Sequence, residues 1–345
     1  MTTNTSRTAA AAGARRVDGF DFPLSRRTDP VSVRPGVRVI VRCAVADPAD
    51  PANPNAVTDV IGQLVSVSPL RVRPADGPER EIAARDVVVL KTLSPAPVRN
   101  RDIRAVEQAA AAAFPGKHNA WCGGWFARVG DGITERSNSA VPIGPTASTG
   151  LVPLEPLREF YSSHGQPVQL LLPDRIGRAA ENIPGARGPE IIVMTRPLGE
   201  APEPALPAGV EIAVDEAPSE QWYSMYHFRG QPLPEEALEL LAARIDGTLG
   251  FARLTVDGQL AAITRATITT GGDKQWLGYS AVEVAPAFRR RGLGTLLGEY
   301  VLHWGHAHGA EAAYLEVITT NTAGRALYHG LGFGEHHRRR SLTVG

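Results

Sequence analysis

Val284-Ala285-Pro286-Ala287-Phe288-Arg289-Arg290-Arg291-Gly292-Leu293-Gly294-Thr295 is the stretch on which the reading of this chain turns. An apolar, β-branched run ends at Val284. An amphipathic helical pattern starts near Gly292, with Leu296, Tyr300 and Trp304 at four-residue spacing beside Leu297 and Val301. A helix N-terminus presents unpaired N–H groups and the positive end of the helix dipole. Glycines at that place let a phosphate approach the backbone, and the arginines add positive potential. The pattern predicts a strand, a pyrophosphate cradle and a helix. It is not a dinucleotide fingerprint, because only two glycines fit, and it is not a P-loop, because Gly-Lys-Ser/Thr is missing.

A second cluster follows: Leu315-Glu316-Val317, Asn321, Ala326-Leu327-Tyr328 and Leu331-Gly332-Phe333. With Val284-x-Pro286 and Arg289-x-x-Gly292-x-Gly294, it resembles the acetyl-CoA signature of the GCN5-related N-acetyltransferase (GNAT) superfamily over roughly 210–342. The resemblance implies acetyl-CoA as co-substrate, wedged between two splayed parallel strands, here 276–284 and 313–318. Backbone at Val284 would hold the thioester oxygen. Arg289, Arg290, Arg291, Gly292, Leu293, Gly294 and Thr295 would surround the pyrophosphate, with Asn321 near the pantetheine arm or simply capping the next helix. Tyr328 matches the family tyrosine that protonates the leaving sulfur. Glu316 matches the general base of the ribosomal-protein alanine acetyltransferases, twelve residues before the tyrosine. Glu283 is the second candidate base, and a water chain without a single base is the third.

Working outward, the fold class reads as α+β, with the acetyl-CoA-binding domain at 206–345 carrying a mixed sheet. Strands are expected at 210–214, 249–256, 260–269, 276–284, 313–318 and 333–342, with helices at 220–226, 234–244, 292–308 and 322–330. The prolines of 197–207 read as a linker. Before it, 100–197 reads as a degenerate acetyltransferase-like lobe without its own glycine loop. It begins with a helix at 100–113 and carries a hairpin of 121–129 and 132–141 that turns at Gly130-Asp131-Gly132. Pro95 and Pro97 stiffen a linker at 94–97. Five short β-rich runs over 33–95 predict a small SH3-like β-barrel. Residues 1–32 lack hydrophobic periodicity and read as a disordered tail.

The acceptor is less legible. The small barrel, Gly123-Gly124-Trp125 with Arg136-Ser137-Asn138-Ser139, and the active lobe together resemble an actinobacterial, corynebacterial-type family of N-acetylglutamate synthases. Relatives in mycobacteria carry a histone acetyltransferase label. The first resemblance implies a small-molecule amino-acid acceptor, L-glutamate, and a place in arginine biosynthesis. Arg136, Arg128 and Asn138 are the candidate acceptor-binding residues, since guanidinium groups pair bidentately with carboxylates. The alternative is a protein acetyltransferase acting on a lysine or an N-terminus, and a non-enzymatic acetyl-CoA sensor is a third reading.

Composition narrows the classes. Lys and Arg total 36 against 36 Asp and Glu, so charge makes no case for nucleic-acid or membrane binding. Cys43 and Cys122 stand in no metal or disulfide spacing, which fits a cytoplasmic protein. His303, His306 and His308 lack a completing carboxylate or thiolate, so no metal is expected. The basic run His336-His337-Arg338-Arg339-Arg340 ends the last strand and reads as a blunted sheet edge. A homo-oligomer is compatible with all of this.

Overall fold

The computed structural model describes residues 13–26, 28, 30, 33–44, 56–74, 77–93, 98–200, 202–228 and 231–345. The chain divides into two compact units, Met1–Pro97 and Val98–Gly345. The expected 94–97 linker and residues 1–12 of the expected tail lie outside the described residues.

In the first unit, β1 (Ala14–Arg15), β2 (Leu24–Ser25), β3 (Arg38–Ala44), β4 (Val57–Ser66), β5 (Arg71–Pro74), β6 (Arg80–Glu81) and β7 (Val87–Thr92) form one sheet in the order β1-β2-β7-β3-β4-β5-β6. Alternate residues of β3 and β4, among them Val39, Val41, Val60 and Leu64, build its core. Two expectations change here. Among the described residues the pairings run along an open path rather than closing a barrel. Part of the expected tail is structured: Leu24 pairs with Leu90, and Phe22 and Leu24 are buried, because their large apolar side chains find a core only there.

The second unit is built on one nine-stranded sheet. Its elements are α1 (Asn100–Ala113), β8 (His118–Cys122), β9 (Trp125–Val129), α2 (Leu154–Ser163), β10 (Gln169–Pro173), β11 (Gly185–Arg187), β12 (Ile191–Pro197), β13 (Val210–Asp215), α3 (Glu220–Met225), β14 (His227–Phe228), β15 (Gln231–Pro232), α4 (Glu235–Ala242), β16 (Thr248–Val256), β17 (Gln259–Gly271), β18 (Lys274–Val284), α5 (Leu293–Ala307), β19 (Ala312–Ile318), α6 (Thr322–Gly330) and β20 (Gly334–Val344). The sheet order is β10-β20-β12-β19-β18-β17-β16-β13, with β11 also on β20. Among the described residues of this sheet, only β18 and β19 are parallel neighbours. Strand β12 lies between β19 and β20, antiparallel to both. The expected boundary near 198–205 therefore does not divide the structure, since strands from both sides of it share one sheet.

The strand period of two assigns the faces. Leu277, Ala313, Leu315, Ile192 and Met194 pack with Leu297 and Val301 of α5. Trp276, Ala312, Tyr314 and Val193 pack with Val106, Ala109 and Ala110 of α1. Helix α1 starts where the Asp102 carboxylate accepts from the Arg99 N–H at 3.0 Å, and it stops before Pro115. Its alanines let it lie close to the sheet: the Thr269 hydroxyl donates to the Ala109 carbonyl at 2.9 Å.

The hairpin of this region turns elsewhere than expected. Strands β8 and β9 pair across Gly123-Gly124, and Gly123 has φ +57°. Gly130-Asp131-Gly132 opens a loop instead. Asp131 Oδ1 accepts from the N–H groups of Ile133 and Thr134, a local turn that competes with strand pairing.

A fragment starting at residue 206 lacks β12 and α1, which leaves β19 and β20 without their common neighbour and uncovers Trp276 and Tyr314. Such a fragment is expected to show no cooperative thermal transition by circular dichroism. A sharp transition with native-like amplitude would show that 206–345 is a separable lobe.

Candidate active site

The parallel pairing of β18 and β19 runs from Trp276↔Ala312 to Tyr279↔Leu315 and stops. Just beyond, the β17–β18 register slips between Ile263 and Arg265, and Ala281 has φ +53°. This is a β-bulge, which adds twist and bends its strand. The two strands splay from Ser280 and Glu316 onward, so the β18 edge that faces β19 has no ladder partner there.

The glycine loop starts at the open end. Pro286–Phe288 form a single 3₁₀ turn, Gly292 caps α5 with φ +77°, and no side chain caps the helix N-terminus. The first-turn N–H groups at Leu293, Gly294 and Thr295 are therefore available to an anion. Arg290 and Arg291 are exposed beside it, and Arg291 lies over the Phe288 ring at 5.4 Å. Arg289 folds back: its Nε donates to the Val284 carbonyl at 2.9 Å and its Nη2 meets Glu283 at 3.1 Å. Glu283 thus braces the foot of the loop.

A narrow slot leads inward between Gly294, Val282, Leu327 and Tyr328. Tyr328 also lines a cavity of about 260 Å³, together with Glu316, Asn321, Arg136 and Arg339. Leu171, Pro189 and Ile191 also line it, so the segment before residue 198 contributes to the cavity. Burial pushes the Tyr328 phenol up to about 12. Asn321 caps α6, its Oδ1 accepting from the Gly324 N–H at 2.9 Å, and it borders the cavity as well.

Glu316 is half-buried, and its Oε2 is 2.5 Å from Nη2 of Arg339. Arg339 Nη1 donates to Glu107 of α1 at 2.6 Å, and the other Glu107 oxygen meets His337 Nε2 at 2.8 Å. Burial alone would raise the Glu107 carboxyl; Arg339 and His337 outweigh it and hold it down at about 2. The basic run of β20 is therefore not an edge feature. Strand β20 lies inside the sheet, and His337 and Arg339 are buried by their pairing with Glu107.

The three expected acceptor residues separate. Arg136 borders the cavity, with its guanidinium over the Phe114 ring at 4.6 Å and 3.3 Å from the Tyr226 hydroxyl. Arg128 does not border it. It is buried, donating to the carbonyls of Ser139 and Phe114 and to the Ser139 hydroxyl, and burial lowers it to about 10. Asn138 is also a staple. Its Oδ1 accepts from the N–H groups of Gly130 and Gly132 at 2.8 Å, and its Nδ2 donates to Thr134 and Asp131. Asn138 spends its polar atoms on the loop that replaces the expected hairpin, and Arg128 ties that loop at Ser139 to the Phe114 carbonyl after α1. Glu107 is absent from the expected site residues, and Arg339 was expected at a sheet edge. The available signal was one carboxylate inside an alanine-rich helix, and charges at alternate positions of a strand.

No group of three or more His, Cys, Asp or Glu side chains is arranged for a metal among the described residues, and no helix there is long and apolar enough to cross a membrane.

The family described as "Probable histone acetyltransferase Rv0428c C-terminal" matches residues 100–342. The chain belongs to the Rv0428c acetyltransferase family. The family's "Rv0428c N-terminal Sm-like domain" matches 33–91, so the first unit is Sm-like where an SH3-like barrel was expected. The "Probable histone acetyltransferase Rv0428c" of Mycobacterium tuberculosis is 34% identical over 312 residues, 90% of this chain and 95% of that protein. The uncharacterized N-acetyltransferase YobR of Bacillus subtilis is 26% identical over 69% of this chain and 98% of its own length. A "[Ribosomal protein bS18]-alanine N-acetyltransferase" of Salmonella typhimurium is 37% identical over 89 residues, 26% of this chain and 57% of that protein. The fold is shared with a GCN5-related N-acetyltransferase from Kribbella flavida, with TM-score 0.50 and 19% identity over 72% of this chain and 96% of that one. The chain is thus an acetyl-CoA-dependent N-acetyltransferase. The matching family is the Rv0428c family and not a glutamate synthase family.

A Cβ at Gly294 would lie 3.4 Å from Val284 and 3.6 Å from Leu327. Gly294→Leu is expected to fill the slot and abolish acetyl-CoA binding in calorimetry while the melting temperature holds; unchanged affinity would remove the slot from the cofactor site. Arg128→Ala strands buried carbonyls, and a lost charged hydrogen bond costs about 1.5–3 kcal/mol. Urea denaturation should report at least that loss, with the KM of the acceptor unchanged in the surviving protein. A KM effect without a stability effect would return Arg128 to the acceptor site.

Proposed function

We propose that the chain acetylates a primary amine carried by a protein or peptide, rather than free glutamate. One observation carries this reading: the cavity's cations are largely committed. Arg339 is paired with Glu107 and Glu316, and Arg340 with Glu190 at 2.8 Å. Arg128 and Asn138 are used by the loop. Arg136 alone of the three expected contacts faces the cavity, which is thin recognition for an acceptor with two carboxylates. The relatives named for histone and ribosomal-protein acetylation support the same choice. Arg136 favours glutamate as the second reading.

The residues divide the work as follows. The N-terminus of α5, with Arg290 and Arg291, would hold the pyrophosphate of acetyl-CoA, and the slot beside Gly294 would take its arm. When bound, acetyl-CoA supplies an activated acyl group and a thiol leaving group. Glu316, in the cavity, takes the proton of the incoming ammonium. The unpaired edge of β18 beyond Tyr279 offers N–H groups where negative charge develops on oxygen. Tyr328, which lines both slot and cavity, gives a proton to the departing sulfur. A phenol near 12 is fully protonated at neutral pH, as a donor must be. Glu283, tied to Arg289, shapes the loop.

Tyr328→Phe keeps the ring and removes the donor. Turnover is expected to fall about 10²–10⁴-fold, with acetyl-CoA affinity intact; a wild-type rate would leave Tyr328 a packing residue. The acceptor is tested with a panel of L-glutamate, peptides with free N-termini and blocked lysine peptides, following thiol release and product mass. Peptide acetylation with glutamate at background is the expected result. Robust glutamate turnover with silent peptides would overturn the proposal.

A further inference from the structure

Arg339 and Arg128 are both buried arginines with different bonding. Arg128 uses Nε, Nη1 and Nη2, each on a carbonyl or hydroxyl oxygen. Arg339 uses only its two terminal nitrogens, one on Glu107 and one on Glu316, and its buried Nε has no partner. Buried donors are normally satisfied, and leaving one unmade is costly. The guanidinium is therefore placed where two carboxylates want it, not where its own donors are best served.

The anchor end is stiff. Glu107 sits on the α1 face that packs on the sheet, is 1% exposed, and is pinned from its other oxygen by His337. The His337 ring nitrogen Nδ1 in turn lies 2.8 Å from Nδ1 of His336. The working end is the reverse. Glu316 stands at the first residue past the last β18–β19 pair, where the strand has lost its neighbour on one side. Its side chain faces the cavity. A single charge-assisted contact from Arg339 Nη2, itself fixed by the Nη1 bond to Glu107, holds that carboxylate.

We propose that Arg339, anchored by Glu107, is a positioning residue that holds the Glu316 carboxylate in register with the acceptor amine. This rests on the reading of Glu316 as the base. Through it, α1 and β20 set the geometry of a group on β19. The device differs from a structural staple in one measurable way: its effect on turnover passes entirely through Glu316.

The test is a double-mutant cycle on the full chain, with acetyl-CoA and an N-terminal-alanine peptide, or glutamate if the panel selects it. Arg339→Met is expected to lower kcat about 10- to 100-fold, the scale of a misplaced reacting group. The acetyl-CoA dissociation constant from calorimetry should stay within about twofold, and Arg339→Lys should recover part of the loss. In a Glu316→Gln background, Arg339→Met should change kcat less than about twofold, because the group it positions is already disabled. Equal fold-losses in both backgrounds would overturn the proposal while leaving Glu316 as the base. A Glu316→Gln enzyme at the wild-type rate would instead remove the base assignment, and this inference with it. Should Arg339→Met fail to fold, Glu107→Gln keeps the volume and weakens the anchor. A severalfold kcat loss that vanishes in the Glu316→Gln background supports the proposal, and a loss that persists there refutes it.

Discussion

Seven residues, Ile191–Pro197, bond to two strands that the chain forms more than a hundred residues later. The rest of the second unit depends on this insertion. Without β12, strand β19 would have β18 on one side and nothing on the other, and β20 would lose its tie to the sheet. With it, the segment before residue 198 becomes structural material for the acetyl-CoA half and brings Leu171, Pro189 and Ile191 to the cavity wall. The cofactor-side elements and the acceptor-side elements are two regions of one sheet.

The opening in that sheet has an equally local cause. Four register pairs hold β18 to β19, and then a bulge at Ala281 turns β18 away. Hydrogen bonding between neighbours is what a strand edge seeks, so an unpaired edge inside a sheet is costly unless something fills it. A flat ligand arm with its own amides suits that gap, which is the physical reason an acyl-CoA can complete this fold. On the proposed function, the adjoining uncapped helix terminus and the exposed Arg290 and Arg291 are where its phosphates would go.

Burying Glu107, Arg339 and His337 together is an expensive way to join a helix to a strand, and an apolar substitute would often serve stability better. The cluster makes more sense as geometry than as stabilisation. It also changes the electrostatics of the cavity. Each guanidinium that meets an internal carboxylate is withdrawn from substrate recognition, and the sign of the cavity cannot be read from its count of arginines. That is why Arg128 and Arg339, alike in sequence as strand arginines, differ in use.

Much of this protein was legible in residues 206–345 as a string. Periods of 2 and 3.6, the Asp257-Gly258 turn and the glycines at 292 and 294 act within a few residues, and they placed the strands of the main sheet and the helices there to within a few positions, missing only the short β14–β15 pair. Local chemistry also named Tyr328 and Glu316, which line one cavity; the loop arginines line neither that cavity nor the slot. What failed did so where the deciding partner was remote. The hairpin turn moved to Gly123-Gly124 because Asn138 claims the backbone of Gly130 and Gly132. Arg128 and Asn138 do not line the cavity and bond nearby groups, and the edge reading of 336–340 dissolved because β10, β11 and β12 lie on both sides of β20. Composition and spacing report what a residue can bond to. Which partner it finds is decided only when the sheet order sets residues 107, 316 and 339 side by side.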